Sequence, residues 1–382
     1  MTVDRGKITR IIIASLIFLA VTAIQGMPTR EIQQALLTVA IMCVFACYLK
    51  NLWLSLFVAW TVFLYIYFRF DGGATYFFNV FFGCMLYWMA KNSFKKEHIS
   101  WYINIFLVFV GINCAYMVLQ FFDLDFYYYL RVSNVLGDEK ALGSFRYLCG
   151  FMGFQANMGT LMALSIPIIA TRPWKHAWAY TAIPFFFIYT SRSSVSLLAG
   201  IIGVLFVLFY RMRKARWWAL VISGLILTSL YLVKIDAPMG TIGTRPRMWK
   251  TVLRDAVQRP IVGYGLDSFR RFTEIKKRQY CSEILATENG IYMDVWDNAH
   301  NLFIQIFFEF GFIGLFLLGG WVRDAINRFN RSVKTGNALG LAGFIVAFFV
   351  ASMAHFPMYL ACMACFIIPM FALFENEIEL YP

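Results

Sequence analysis

Apolar runs of roughly 15–25 residues follow one another along almost the whole chain, and this repetition constrains the fold more than any motif does. A soluble domain of 382 residues would cover itself with polar side chains. Here 60% of residues are hydrophobic, only 14% are charged, and mean hydropathy is +0.64. Lipid offers no hydrogen bonds to bare backbone, so runs of this length must be helices. The expectation is an all-α, polytopic integral membrane protein of about twelve transmembrane helices, at 11–27, 32–49, 51–68, 73–90, 101–122, 147–171, 177–191, 193–210, 216–233, 301–321, 337–353 and 357–374. Nine spans fill 1–233, a large loop occupies 234–299, and three spans fill 300–382. Arg5, Lys7 and Arg10 precede an apolar run to Ala23 that is read as an uncleaved first span.

The net charge is +13, and its distribution sets the topology. With a cytoplasmic N-terminus, the inside segments hold 17 Lys and Arg, against six in the short outside loops (Arg30, Arg69, Arg131, Lys140, Arg146, Arg192). That is the positive-inside bias, and it puts both termini in the cytoplasm. It also turns a basic composition away from nucleic acid as a partner. Six of the eight cysteines (Cys43, Cys47, Cys84, Cys114, Cys362, Cys365) fall inside spans as small hydrophobes, which leaves only a Cys149–Cys281 pair open as a disulfide.

Loop 234–299 divides by charge: 244–278 carries ten Lys and Arg, whereas 279–299 carries acids and no base. Within it, PRMWKTVLRDAVQ (246–258) reads as an amphipathic helix. Met248, Trp249, Val252, Leu253, Ala256 and Val257 share one face, and Arg247, Lys250 and Arg254 share the other. Pro246 suits the first turn and Arg259-Pro260 the end. Such a helix can lie on the outer membrane surface with its bases toward anionic groups, or it can simply cover the bundle.

Several polar groups sit where apolar ones are expected. Residues 177–210 would make one helix of about 51 Å, too long for a hydrocarbon core of about 30 Å, so a tight outer turn at Arg192 must divide it. Arg146 precedes a span carrying Gln155 and Asn157, with Gly150, Gly153 and Gly159 allowing close helix approach. His300 opens the tenth span and, if helical, shares a stripe with Ile304, Phe307 and Gly311. Glu309 lies about 13 Å further along the axis, out of direct reach of His300, and is either neutral or paired across helices. Asn301, Lys250, Arg254 and His355 could support the same outer cavity. A histidine at a membrane rim serves as a polar cap more often than as a catalyst, and both readings stand. The acid pair Asp123 and Asp125 reads as loop capping, and no cluster has metal-ligand spacing. Arginines beside a histidine suit a reaction with an anionic leaving group and a hydroxyl acceptor.

Three stretches carry a resemblance. HNLFIQIFFEFGFIG (300–314) fits a pattern of His, Asn, nine residues, Gly, two residues and Gly, at His300, Asn301, Gly311 and Gly314. TRPRMWKTVLRDAVQRPIVGYGLDSF (244–269) sets an Arg and a Trp before a Pro-x-x-Gly-x-Gly turn at Pro260, Gly263 and Gly265. TSRSSVSLLAG (190–200) is a Ser-Arg-small-small turn. In order and sidedness the chain resembles the O-antigen ligase and O-antigen polymerase superfamily, bacterial inner-membrane glycosyltransferases. The resemblance implies a GT-C-like fold and a metal- and cofactor-independent inverting transfer at the periplasmic face. The donor would be an undecaprenyl-diphosphate-linked glycan, and the acceptor lipid A–core (ligase) or another repeat unit (polymerase). It also implies His300 as the residue that activates the acceptor hydroxyl. Arg192, with Arg245 or Arg247 and Arg146, would bind the diphosphate. One departure is Ser196, where ligases often carry Leu. A polysaccharide flippase is the rival from another class, disfavoured by the split of nine spans and three around one long loop.

Overall fold

The computed structural model describes residues 52–67, 74–94, 96–122, 124, 155–191, 193–211, 241–275, 298–354 and 361–380. The readings at Arg146, Arg192, His355, Cys149, Cys281, the Asp123–Asp125 pair and the spans 11–27, 32–49 and 216–233 lie outside these residues. Among them every regular element is a helix. In chain order they are α1 Leu52–Tyr67, α2 Ala74–Ser93, α3 Lys96–Phe121, α4 Gln155–Ala170, α5 Ala177–Tyr180 and α6 Ala182–Thr190. Then come α7 Ser194–Arg211, α8 Thr241–Ala256, α9 Ser268–Ile275, α10 Leu302–Arg331, α11 Gly336–Ser352 and α12 Ala361–Leu380. Among the described residues three stretches are long and apolar enough to cross a membrane: Glu97–Phe121, Ser194–Arg211 and Leu302–Arg331. On α3 the exposed Trp101, Ile105, Val108 and Ile112 recur at helical spacing, an apolar stripe that water would not tolerate and lipid would. The molecule reads as a membrane protein.

The chain forms two compact units. The unit built from residues 90–238 and 328–382 is centred on α4, α7 and α11, which pack pairwise. Small residues let them meet. A Cβ added at Gly203 would lie 3.0 Å from Ala347 Cβ and 3.1 Å from the Gly343 carbonyl, and one at Gly343 would lie 2.6 Å from Pro167. Without a hydrophobic drive between helices in lipid, such close backbone contact supplies the attraction. The ends are tied by charge: Glu375, almost fully buried, sits 3.6 Å from Lys91 Nζ and 3.5 Å from Arg328 Nη1. Asn376 Nδ2 donates to the carbonyls of Lys91 and Phe94, each at 3.2 Å, so α12 is fastened well beyond the expected span end at 374. Nearby, Arg172 forks to Asn104 Oδ1 and Asn337 Oδ1, both at 3.3 Å, joining α3 to the first turn of α11. Burial without a carboxylate among these contacts pulls its pKa below the ordinary arginine value.

The second unit takes residues 1–89 and 239–327. There α1 runs along α10, with Phe57 stacked on Phe310 (5.2 Å), Trp53 edge-on to Phe316 (5.9 Å), and Gly320 giving room to the Trp53 indole. Beside them, α8 and α9 close over a core of Met248, Val252, Ala256, Phe269, Ala299 and Phe308. Phe308 stacks on Tyr264 at 4.8 Å and meets Phe269 and Phe272 edge-on at 5.5 and 5.3 Å. Burying it contributes about 1.5–3 kcal/mol, and each aromatic pair roughly 0.5–1.5 kcal/mol more.

Three local expectations change. The expected span 301–321 becomes a helix ending at Arg331, because its last turns carry Arg323, Asp324, Arg328 and Arg331 and need no lipid. Helix α8 begins at Thr241, a turn and more before Pro246, which cannot donate to the Ile242 carbonyl, so its first turn lacks that bond. Its apolar face also splits. Met248, Val252 and Ala256 enter the core, whereas Leu253 and Val257 are exposed.

Candidate active site

At 190–194 the chain does what length required. Helix α6 ends at Thr190, α7 begins at Ser194, and the turn between them holds Arg192, whose own placement is not described. Ser196 is buried and shares hydrogen bonds with Ser193 Oγ (2.6 Å) and Thr160 Oγ1 (3.3 Å). A Cβ at Gly159 would lie 2.8 Å from Ser196 Oγ, so this glycine is the close-approach position that the sequence suggested, while Gly150 and Gly153 lie outside the described residues. Ser196 thus bonds two neighbouring hydroxyls at this close helix contact.

His300 belongs to the unit of residues 1–89 and 239–327, and it is not on the helix. Helix α10 starts two residues later, and His300 adopts a left-handed backbone, φ 48°. The expected stripe with Ile304, Phe307 and Gly311 is therefore corrected. The reason is Asn301, whose Oδ1 accepts from the Phe303 and Ile304 amides at 3.0 and 3.1 Å and so caps the helix. Asn301→Ala is expected to cost about 0.5–2 kcal/mol, read as a lower melting temperature of the purified protein. The half-buried His300 follows two anchored residues. Its amide donates to Asn298 Oδ1 at 2.9 Å. Buried Ala299 donates its N–H to Gln305 Oε1 (2.7 Å), and its carbonyl accepts from Trp249 Nε1 (2.8 Å).

Glu309 finds its neighbour here: Gln305 Nε2 donates to Glu309 Oε1 at 2.7 Å, one helical turn away, and both side chains are buried. Two residues further, α10 breaks. Gly311 takes φ 68°, ψ −166°, which interrupts the helical hydrogen bonds on both sides. The Pro260–Gly265 turn enters that gap. The Phe312 and Ile313 amides donate to the Pro260 and Ile261 carbonyls (2.7 and 3.4 Å), while the Tyr264 and Gly265 amides donate to the Phe308 and Glu309 carbonyls (2.9 and 3.0 Å). Trp60 Nε1 takes the Phe310 carbonyl at 3.0 Å. These five bonds satisfy inside protein backbone groups that the kink frees, as non-helical backbone in an apolar helix requires. The two glycine motifs are halves of one joint. A Cβ at Gly263 would lie 2.7 Å from the Glu309 carbonyl oxygen and from Gly311 N.

Among the loop cations, Arg245 is set apart. It stands three residues before Met248 and seven before Val252, on the face of α8 that packs against Ala299 and Phe308. It is half-buried, and desolvation lowers its pKa, although a guanidinium remains charged. Lys250 and Arg254 are exposed, and the Arg247 side chain is not among those described. Arg259 lies over the Tyr264 ring at 5.0 Å; burial raises the Tyr264 pKa and this cation opposes the shift. Among the described residues no three His, Cys, Asp or Glu side chains gather as a metal would need.

Sequence reasoning selected His300 and Asn301 from their motif but passed over Gln305. Its signal was present: a glutamine four residues before a glutamate in an apolar helix. Compared with known proteins, residues 179–319 match the family described as O-antigen ligase, while no curated protein matches the chain. That segment runs from α5 through the Arg192 turn, the loop and the kinked start of α10. Over those residues the chain is similar to the O-antigen ligase family, and the described helices include ones long and apolar enough for a membrane.

Proposed function

We propose that the protein is a periplasmic-face glycosyltransferase of the inner membrane, moving a glycan from undecaprenyl diphosphate to an acceptor hydroxyl, as an O-antigen ligase acting on lipid A–core. His300 takes the proton of the acceptor hydroxyl. The oxygen attacks the anomeric carbon from the face opposite the diphosphate, and the carbon–oxygen bond to phosphate breaks with its electron pair leaving on undecaprenyl diphosphate. The configuration inverts. Arg192, Arg245 and Arg146 offset the charge that develops on the leaving group, with Arg247, Lys250, Arg254 and His355 contributing to the basic surroundings of the donor. No metal or cofactor enters these steps. The observation that carries the reading is the His300 turn, an over-determined left-handed residue inside a domain of this family.

Between the two candidate loop arginines, placement on the buried face of α8 favours Arg245. Arg245→Ala is expected to lower kcat/KM for the lipid-linked donor by roughly 30-fold or more, the equivalent of about 2 kcal/mol for losing one partner of a desolvated charge contact. Equal losses from Arg245→Ala and Arg247→Ala would remove the distinction.

The polymerase is the second reading, favoured by Ser196 at a position where ligases often carry leucine. Purified protein given undecaprenyl-diphosphate glycan and either lipid A–core or a second repeat unit separates the two. Product on lipid A–core alone supports the ligase, and product on the repeat unit alone supports the polymerase. Product on neither overturns the transferase reading in favour of transport.

A further inference from the structure

The hydrogen bonds around His300 form a directed chain that starts in the membrane-depth part of α10. The Glu309 carboxylate accepts from Gln305 Nε2, which leaves Gln305 Oε1 to accept the Ala299 N–H, each at 2.7 Å. An amide has one oxygen and one NH2, so a carboxylate at one end dictates which end of the glutamine faces Ala299. Trp249 holds the opposite side of the same residue through its carbonyl, and Asn298 holds the His300 amide. An ordinary capping box has the third helical residue reaching back to the cap itself. Here the fourth reaches past the Asn301 cap to the residue before His300. Capping alone does not need that reach, because Asn301 already serves both the Phe303 and Ile304 amides. A left-handed non-glycine residue persists only where its surroundings over-determine it.

We propose that Gln305, oriented by Glu309, is a positioning residue that sets the His300 turn and so aims the imidazole at the acceptor hydroxyl. This rests on the assignment of His300 as the base. Neither Gln305 nor Glu309 touches the reacting atoms. Their role explains a carboxylate in the body of an apolar helix: it fixes a neighbouring amide and does not itself exchange a proton with substrate.

The test replaces the glutamine with a side chain of similar size that accepts no such bond. Gln305→Met is expected to lower kcat by about 10- to 100-fold, the scale of a misplacement near 1 Å, with KM changed less than about twofold. Amide exchange at Ala299 and His300 is expected to accelerate about tenfold or more. Glu309→Met, which leaves Gln305 without its acceptor, is expected to lower kcat and to accelerate exchange at Ala299 in the same direction as Gln305→Met. The reversed pair, Gln305→Glu with Glu309→Gln, preserves both bonds and is expected to restore exchange and turnover together. A folded Gln305→Met protein with wild-type exchange at 299–300, or with wild-type kcat, overturns the proposal. Should that variant not fold, wild-type protein decides: Ala299 and His300 amides that exchange as fast as an open loop overturn it. Full turnover in His300→Ala would instead bring down the base assignment, while the exchange measurement would still report whether Gln305 holds the turn.

Discussion

Gly311→Ala is expected to destabilise the protein by about 3 kcal/mol or more and to prevent the α8–α10 joint from closing. Two costs combine. The backbone at φ 68°, ψ −166° lies in a region that is essentially glycine-only, worth about 1–3 kcal/mol for another residue. The added methyl would also meet the Ile261 carbonyl and approach Gly263 N within 2.7 Å. Relief requires the Pro260–Gly265 turn to withdraw, which abandons the four backbone hydrogen bonds that fill the kink. Each buried group left unsatisfied costs about 1–3 kcal/mol, and more where water is absent. Gly319→Ala, on the same helix with nothing within 4 Å of the new methyl, is the control. It is expected to be neutral or slightly stabilising, since alanine is the better helix former by up to about 1 kcal/mol. Thermal unfolding of the two purified variants checks both; equal melting temperatures would refute the joint.

His300→Ala is expected to reduce turnover by about 10²- to 10⁴-fold, the usual contribution of a positioned general base, with donor KM little changed. Alanine at φ 48° adds backbone strain of its own, so His300→Asn is the sharper variant. Asparagine tolerates left-handed backbone and keeps polarity, but it cannot accept a proton near neutral pH. Loss of turnover in both, with an unchanged melting temperature in the asparagine variant, supports the base. Wild-type turnover in the asparagine variant sinks it.

The all-helical class, the membrane character and the break before Ser194 were legible in the sequence, because each follows from length and polarity alone. A run of 34 apolar residues cannot fit one crossing, whatever surrounds it. The motifs around His300 and Gly311 were equally visible as spacings. Their geometry was not. A helical period places His300 on a stripe with Ile304, and only the competition from the Asn301 cap moves it off the helix. Likewise, α8 shows one broad apolar face in sequence, yet neighbours bury Met248, Val252 and Ala256 and leave Val257 outside.

Sequence by itself placed Gly263, Gly265, Gly311 and Gly314 in the pattern that the resemblance rests on, and set Glu309 apart as an ionisable group in an apolar run. Tertiary structure alone decided what these residues are for. The Pro260–Gly265 turn and the Gly311 kink lie nearly fifty residues apart, and each has backbone groups that cannot be satisfied locally. Hydrogen bonds between distant segments leave no periodic trace in a chain, so only the fold could show that the turn completes the broken helix. The same holds for Glu309. The sequence left it neutral or paired across helices, whereas the fold gives it Gln305 on its own helix and, through Gln305, the turn that carries His300.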